Sequence, residues 1–240
     1  MTDHAYEGRD LEAMAFARNY SAWIRDEIAG CLRGDVAEVG AGDGRFAALL
    51  RERALSSLTL FEPSDGMFER LQSRMDGAGS VRCVNATLAS VAEQFRGAFD
   101  TVIYNNVLEH IAEDAQELAV ARSVLRPGGM LCIFVPALPW LMSDFDRRIG
   151  HVRRYTYPVL QALLTRSGFE IDRLHYLDAP GVLPWLVAMK WLRVDLDARK
   201  AQLYDSLAVP VVRAAETRWR PAFGKNLLAM ARAPTAPDPR

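Results

Sequence analysis

A chain of 240 residues, half of them apolar and a quarter charged, has the composition of a single globular domain, and its formal charge of −1 argues against a general nucleic-acid clamp. Three dispersed cysteines (Cys31, Cys83, Cys132) with no CxxC pair exclude a zinc ribbon and suit the reducing cytoplasm. No apolar run nears the roughly 18 residues of a membrane span, and the acidic start MTDHAYEGRD does not read as a signal peptide. Charge is unevenly spread: residues 1–120 hold 11 arginines against 20 acids (−9), whereas residues 121–240 hold 18 basic groups against 10 acids (+8). That asymmetry suits either an anionic partner beside the second half or unequal solvated faces.

In chain order, residues 4–30 have helical composition, with Phe16, Tyr20 and Trp23 at i, i+4 and i+7 on one face. A short strand over 35–40 is stopped by glycines, and a helix over 45–53 follows. The next strand, 57–62, ends at Pro63, and Ser64 stands as the N-cap of a helix running to Met75. Strand 81–84, helix 87–95 and strand 99–104 come next. A helix over 114–125 ends before Pro127-Gly128-Gly129, and residues 130–135 (MLCIFV) are almost wholly apolar, as in a central strand covered on both faces. This alternation implies an α/β fold with a doubly wound, parallel sheet. A helix over 156–167 with Gly168 at its C-terminus, strands over 170–177 and 227–232, and a helical stretch over 180–221 complete the chain. The expected organisation is a single domain, 1–240. It comprises a helical lid (1–30) over the C-terminal edge of the sheet, a core (35–137), a substrate loop and cap (138–221) and a final strand within 222–232.

The sharpest local signal is Glu38-Val39-Gly40-Ala41-Gly42-Asp43-Gly44, a strand, a glycine turn and a helix start. Glycines at 40 and 42 permit a sharp turn and a close ligand, because no Cβ intervenes. The spacing departs from the dinucleotide fingerprint G-x-G-x-x-G, and lysine is absent from the first half, which rules out a P-loop. Glu62, at the end of the second strand, is placed to accept both ribose hydroxyls. Glu38 is a carboxylate on a strand built for burial, and needs a cation or donor. A ligand with a ribose, an ammonium and no pyrophosphate is S-adenosylmethionine.

On these residues the chain resembles the class I S-adenosylmethionine-dependent methyltransferases. EVGAGDG matches their glycine motif, FEPS their ribose-binding strand end, FDTVIYNNVLEHI their fourth strand, and LRPGGMLCIFVPA their fifth. The stretch PALPWLMSDFDRRIGHVRRYT, with RSGFEID after it, resembles small bacterial members acting on small molecules. The resemblance implies a mostly parallel, seven-stranded Rossmann-like sheet with N- and C-terminal helical cap elements, and S-adenosylmethionine as cofactor. It also implies that Glu38, Gly40 and Gly42 bind the methionine end, Glu62 the ribose, Asn85 and Ala86 the adenine, and Asn105 or Asn106 the amino group. Tyr20 is placed to touch the carboxylate.

Methyl transfer is an in-line displacement, and alignment supplies most of the help. If the acceptor must lose a proton, the candidate bases are His110, Asp144, Asp146, His151, Tyr155, Tyr176 and Asp178. His110, Tyr176 and Asn106 are the catalytic candidates carried forward. Arg147, Arg148, Arg153 and Arg154 form either an anion clamp or internal ion pairs. No H-x-x-x-H or carboxylate cluster has metal-ligand spacing, so no metal is expected. The favoured function is methylation of a small molecule. One alternative is cyclisation of S-adenosylmethionine to azetidine-2-carboxylate and methylthioadenosine. A non-catalytic binding module is the other, and nucleic-acid and membrane partners are disfavoured.

Overall fold

The structure, a computed structural model, describes residues 17–191 and 198–235. Its centre is a seven-stranded sheet of β1 (Asp35–Val39), β2 (Ser57–Phe61), β3 (Val81–Val84), β4 (Phe99–Asn105), β5 (Leu125–Pro136), β6 (Glu170–Leu177) and β7 (Asn226–Arg232), in the order β3-β2-β1-β4-β5-β7-β6. All pairings among β1 to β5 are parallel, while β7 runs antiparallel to both β5 and β6. The expected α/β, mostly parallel architecture is therefore present.

Period-two alternation divides the apolar residues between two faces. On one face Ala37, Val39, Val102, Tyr104, Leu131 and Ile133 pack with Leu118 and Ala121 of α5 (Asp114–Val124) and Leu160 and Leu164 of α7 (Tyr157–Arg166). On the other, Val36, Leu58, Leu60, Ile103, Cys132 and Phe134 pack with a second helix set. That set is α1 (Arg18–Glu27), α2 (Arg45–Leu50), α3 (Asp65–Met75) and α10 (Val209–Arg218). Helix cover thus changes face where the chain order reverses, between β1 and β4. Their carboxyl ends form the crevice in which ligands bind in such folds.

Several boundaries differ from expectation. The helix expected over 87–95 is a short α4 (Leu88–Val91), capped by Thr87, followed by a 3-10 turn (Ala92–Phe95). Pro127-Gly128-Gly129 is not a turn ahead of the strand. It lies within β5, where Phe99 pairs with Leu125 but Thr101 pairs with Met130, and Gly128 at φ +75° carries the irregularity. The final strand, Asn226–Arg232, matches the expected 227–232 to within one residue. The remaining short helices are α6 (Asp144–Arg148), α8 (Val182–Trp185) and α9 (Ala198–Leu203).

The expected lid, residues 1–30, is described only in part. Residues 1–16, including Tyr6 and Phe16, lie outside the described residues. The described part, α1, lies on the face of the sheet rather than over its edge: Trp23 and Ile24 are buried in the second core cluster. Asp205 accepts hydrogen bonds from the backbone N–H of Asn19 (2.9 Å) and Tyr20 (2.8 Å), capping the helix from far along the chain. Arg213–Asp26 and Arg220–Glu27 ion pairs, both 2.8 Å, fasten α1 to α10 and the loop beyond it. Among the described residues no helix is long and apolar enough to cross a membrane.

Candidate functional site

The turn after β1 is held in the left-handed region at Gly40, Gly42 and Gly44 (φ +68°, +56° and +81°). The N–H groups of Gly40 and Ala41 both donate to the Phe61 carbonyl, at 2.8 and 3.0 Å, which ties the turn to the end of β2. A Cβ on Gly40 would stand 2.6 Å from Val107 Cγ2, so the ends of β1 and β4 meet too closely for any side chain there.

Glu62 follows β2 and is buried. Its Oε2 accepts from Gly42 N and its Oε1 from Ser64 N, both at 2.8 Å. Burial pushes its pKa up, and the two backbone donors pull the other way. Each oxygen keeps acceptor capacity, so two further donors can be received in a fixed orientation. Glu38 is 2% exposed, and its Oε2 has no hydrogen-bond partner among the described residues. Burial first, then the negative fields of Glu62 and Asp43, push its pKa well up. Asp43 is itself paired with Arg45 (3.1 Å) and Arg74 (3.2 Å). A buried carboxylate in acidic company favours a positively charged ligand.

The other residues expected at the cofactor stand along the same strand ends. Asn85 follows β3 and donates through Nδ2 to Asp65 Oδ1 at 2.7 Å, at the start of α3. Ala86 N donates to Val84 O at 3.0 Å. Asn105 ends β4. Asn106 adopts φ +55°, gives its N–H to Phe134 O (2.8 Å) and its Nδ2 to Asn105 Oδ1 (3.3 Å). Strained backbone at such a strand end is a common property of ligand sites.

Tyr20 packs on Phe134, the register partner of Asn105, while Tyr176 sits elsewhere. The Tyr20 hydroxyl donates to Asn226 Oδ1 at 3.1 Å, its ring packs edge-on to Trp23 and Phe134, and Lys225 Nζ lies 5.1 Å from its centroid. Tyr20 thus closes the seam between α1 and β7. Tyr176 lies on the edge strand β6, where its hydroxyl accepts from Tyr157 N (3.4 Å). With β5 and β7 between β6 and β4, three strand spacings of about 4.8 Å separate it from the β4 line. The structure therefore does not bring it to His110.

His110 lies in the 3-10 turn Leu108–His110 directly after β4. Burial, and secondarily the neighbouring His151, push its pKa down to about 4, so the ring is neutral at pH 7 and a weak proton acceptor. The rings of His110 and His151 meet edge-on with centroids 4.7 Å apart.

The loop after β5 resolves the choice between clamp and ion pairs for most of its arginines. Asp146, fully buried, accepts from Ser143 N (2.7 Å), Arg154 Nη2 (2.6 Å) and His151 Nδ1 (3.0 Å). Burial opposes its ionisation, but these partners outweigh it and hold the carboxyl far below the usual range. Arg153 pairs with Asp114 (2.5 Å), and Arg147 with Asp144 (3.2 Å). Tyr155 gives its hydroxyl to Asp114 (3.0 Å). Asp178 is likewise engaged, by Tyr204 (2.6 Å) and Lys225 (2.9 Å). Part of the charge asymmetry is internal as well. Arg126 bridges Asp35 and Asp100, as Arg213 and Arg220 meet Asp26 and Glu27, so basic groups of the second half neutralise acids of the first.

Sequence reasoning missed Asp65 and Glu109, and with Glu109 the convergence of His110 and His151. Asp65 is visible only as the first residue of a helix. Glu109, His110 and His151 converge from two segments that no linear spacing links.

Residues 37–131 match the family model described as a methyltransferase domain. That segment runs from within β1 to within β5 of the seven-stranded sheet, so the matched part of the chain is similar to a methyltransferase domain. An uncharacterized 37.1 kDa protein in a transposon of Streptomyces fradiae is 28% identical over 215 residues, covering 88% of this chain and 61% of that protein. A hybrid PKS-NRPS synthetase of a Fusarium species is 30% identical over 159 residues, 57% of this chain but 4% of the synthetase. The chain therefore spans less than two thirds of these relatives. In fold it is similar to a Burkholderia thailandensis 1,6-didemethyltoxoflavin-N1-methyltransferase with bound S-adenosylhomocysteine, at TM-score 0.60 and 20% identity, covering 96% of this chain and 84% of that one.

Proposed function

We propose that the chain transfers a methyl group from S-adenosylmethionine to a small-molecule acceptor by in-line displacement. The observation that carries this reading is Glu38, a buried carboxylate with an oxygen unpartnered among the described residues, beside the Gly40–Gly44 turn and one strand from Glu62. An ammonium group satisfies Glu38, and a ribose diol satisfies Glu62, whose two backbone bonds already fix its plane. The Gly40–Gly44 turn presents backbone at the end of β1, the Cβ position of Gly40 being filled by Val107. Asn85 and Ala86 stand where a base would end, with Asp65 orienting the Asn85 amide. Asn105 and Asn106 offer amide and carbonyl groups at the end of β4.

When bound, the cofactor supplies a methyl group already activated by its sulfonium, so the protein's contribution is to hold donor and acceptor in line. His110, neutral at pH 7, acts as a hydrogen-bonding wall of the acceptor side rather than as its proton acceptor. The PKS-NRPS relative supports an acceptor from secondary metabolism. The unpaired thiols of Cys31, Cys83 and Cys132 suit the cytoplasm.

The test is calorimetric titration with S-adenosylmethionine, followed by mass spectrometry of the enzyme incubated with that compound alone and then with candidate acceptors. Binding that Glu38→Gln weakens, with S-adenosylhomocysteine formed only when an acceptor is present, is the expected result. Azetidine-2-carboxylate with methylthioadenosine from the cofactor alone would replace the transferase reading with the cyclase. Binding with no turnover across acceptors would leave a binding module.

A further inference from the structure

Beside the cofactor edge stands a second cluster, of which the methyl-transfer reading uses His110 alone. Glu109, His110 and His151 each offer one ligand atom, and the three atoms lie within 4.8 Å of one another. Ligand atoms around an ion at about 2.1 Å stand about 3–4 Å apart, so small side-chain movements would close the set. The two contributing segments are fixed against each other: Val152 N donates to the Glu109 carbonyl at 2.9 Å. Gly150 sits at φ +90° and passes so close that a Cβ there would stand 3.3 Å from His110 Nδ1.

The orientation of His151 is the independent observation. Its Nδ1 lies 3.0 Å from Asp146 Oδ1, which leaves Nε2 toward Glu109, 3.7 Å from Oε1. Asp146 is held in turn by Ser143 and by Arg154. A carboxylate bonded to the far nitrogen of an imidazole is the arrangement that sets tautomer and ring direction in metal-binding histidines. Two imidazoles with one carboxylate suit first-row transition ions better than magnesium or calcium, which favour all-oxygen sets.

We propose that Glu109, His110 and His151 form a binding site for a divalent first-row transition-metal ion, with Asp146 as the positioning residue for His151. Three protein ligands leave further coordination positions open. A role for the ion in holding an oxygen of the acceptor would rest on the methyltransferase reading, whereas metal retention does not.

The test uses the full chain, dialysed against chelator and titrated with cobalt(II) alone, followed by visible absorption and calorimetry. One cobalt ion per chain is expected, with ligand-field bands that zinc(II) abolishes and excess magnesium does not. Glu109→Gln, His110→Gln and His151→Gln should each weaken cobalt binding by more than the roughly 10–100-fold that losing an outer-shell partner costs, with unchanged circular dichroism. Asp146→Asn should fall within that range and shift the bands. No cobalt uptake by the folded wild-type chain would overturn the site. So would equal uptake by a folded variant carrying all three glutamines, which would place the ion elsewhere. S-adenosylmethionine affinity measured on the same samples separates the two proposals: cobalt retained without cofactor binding removes the methyltransferase reading alone, and the reverse removes only the metal.

Discussion

Among the regions of this molecule that bury an acid, two treat it in opposite ways. In the loop after β5, Asp146 is saturated by Ser143, His151 and Arg154, and its pKa is driven far down. At the end of β1, Glu38 is as deeply buried, yet one oxygen lacks a partner among the described residues and its pKa is driven up. Burying a charge is costly in either place. The loop offsets that cost from within the chain, so its acid holds structure. The strand end leaves the cost standing, which is tolerable where a cationic ligand completes the site. Satisfaction of a buried acid, rather than its burial, separates scaffold from site.

The comparison breaks most severely at Asp146. Asp146→Ala leaves Arg154 buried without its partner and should cost about 3–5 kcal/mol of stability by denaturant unfolding, the scale of breaking a buried pair. A loss under about 1 kcal/mol would show the loop to be less tightly coupled than its bonds imply. Glu38→Gln should do the opposite to stability while weakening S-adenosylmethionine binding by about 2–3 kcal/mol, as expected for loss of a hydrogen bond to a charged group. The sign follows from linkage. A folded pKa raised above 4.5 means that the native state holds the proton longer than the unfolded state, so wild-type stability falls as pH rises through that interval. The Gln variant lacks this titration. Its melting temperature should therefore exceed that of the ligand-free wild type near neutral pH, and the gap should close in acid. Equal melting temperatures at neutral pH would mean that Glu38 finds a partner in solution.

Glu62→Ala tests an acid of intermediate kind, two of whose bonds are internal. It should weaken cofactor binding by about 1–3 kcal/mol and also loosen the Gly42 turn. Unchanged affinity in a folded variant would remove Glu62 from the site. The smallest effect belongs to Glu27. Burial raises its pKa, but hydrogen bonds with His175 and Arg220 outweigh that and bring it from 4.5 to about 2. Its stabilisation is present above 4.5 and is lost as pH falls through about 2. Glu27→Gln should cost about 1 kcal/mol at pH 7 and nearly nothing at the acid end, checked by urea titration at both.

The sequence made the cofactor edge legible because its signals are local. A glycine turn, the acid two residues before it and the acid closing the next strand all lie within 25 residues, 38–62, and the alternation of strand and helix orders the edge. What it concealed depends on long-range pairing. Tyr176 lies on β6, and nothing local in the sequence tells that β7 inserts between β5 and β6 and sends β6 to the margin. Tyr20 and Trp23 showed a buried face without showing which surface buries it, and that surface is the sheet's face. Glu109 and His151 belong to separate loops, so no spacing rule joins them. In the Arg147–Arg154 loop only Arg153 finds its acid, Asp114, well upstream, whereas Arg147 and Arg154 pair with the nearby Asp144 and Asp146.

The cap that Asp205 places on α1 has a consequence for how the chain is made. Asn19 and Tyr20 leave the ribosome 186 and 185 residues ahead of the carboxylate that receives their N–H groups. Until then the first helix has neither its cap nor Arg213 and Arg220, and β5 lacks the strand that pairs along its outer side. Trp23 and Ile24 therefore wait as exposed apolar surface through most of synthesis, a state that invites aggregation and the attention of chaperones. Closure across so long a span also raises contact order and slows the final folding step. Slow synthesis or truncation ahead of residue 205 should thus lower soluble yield more than the modest size of the chain would suggest.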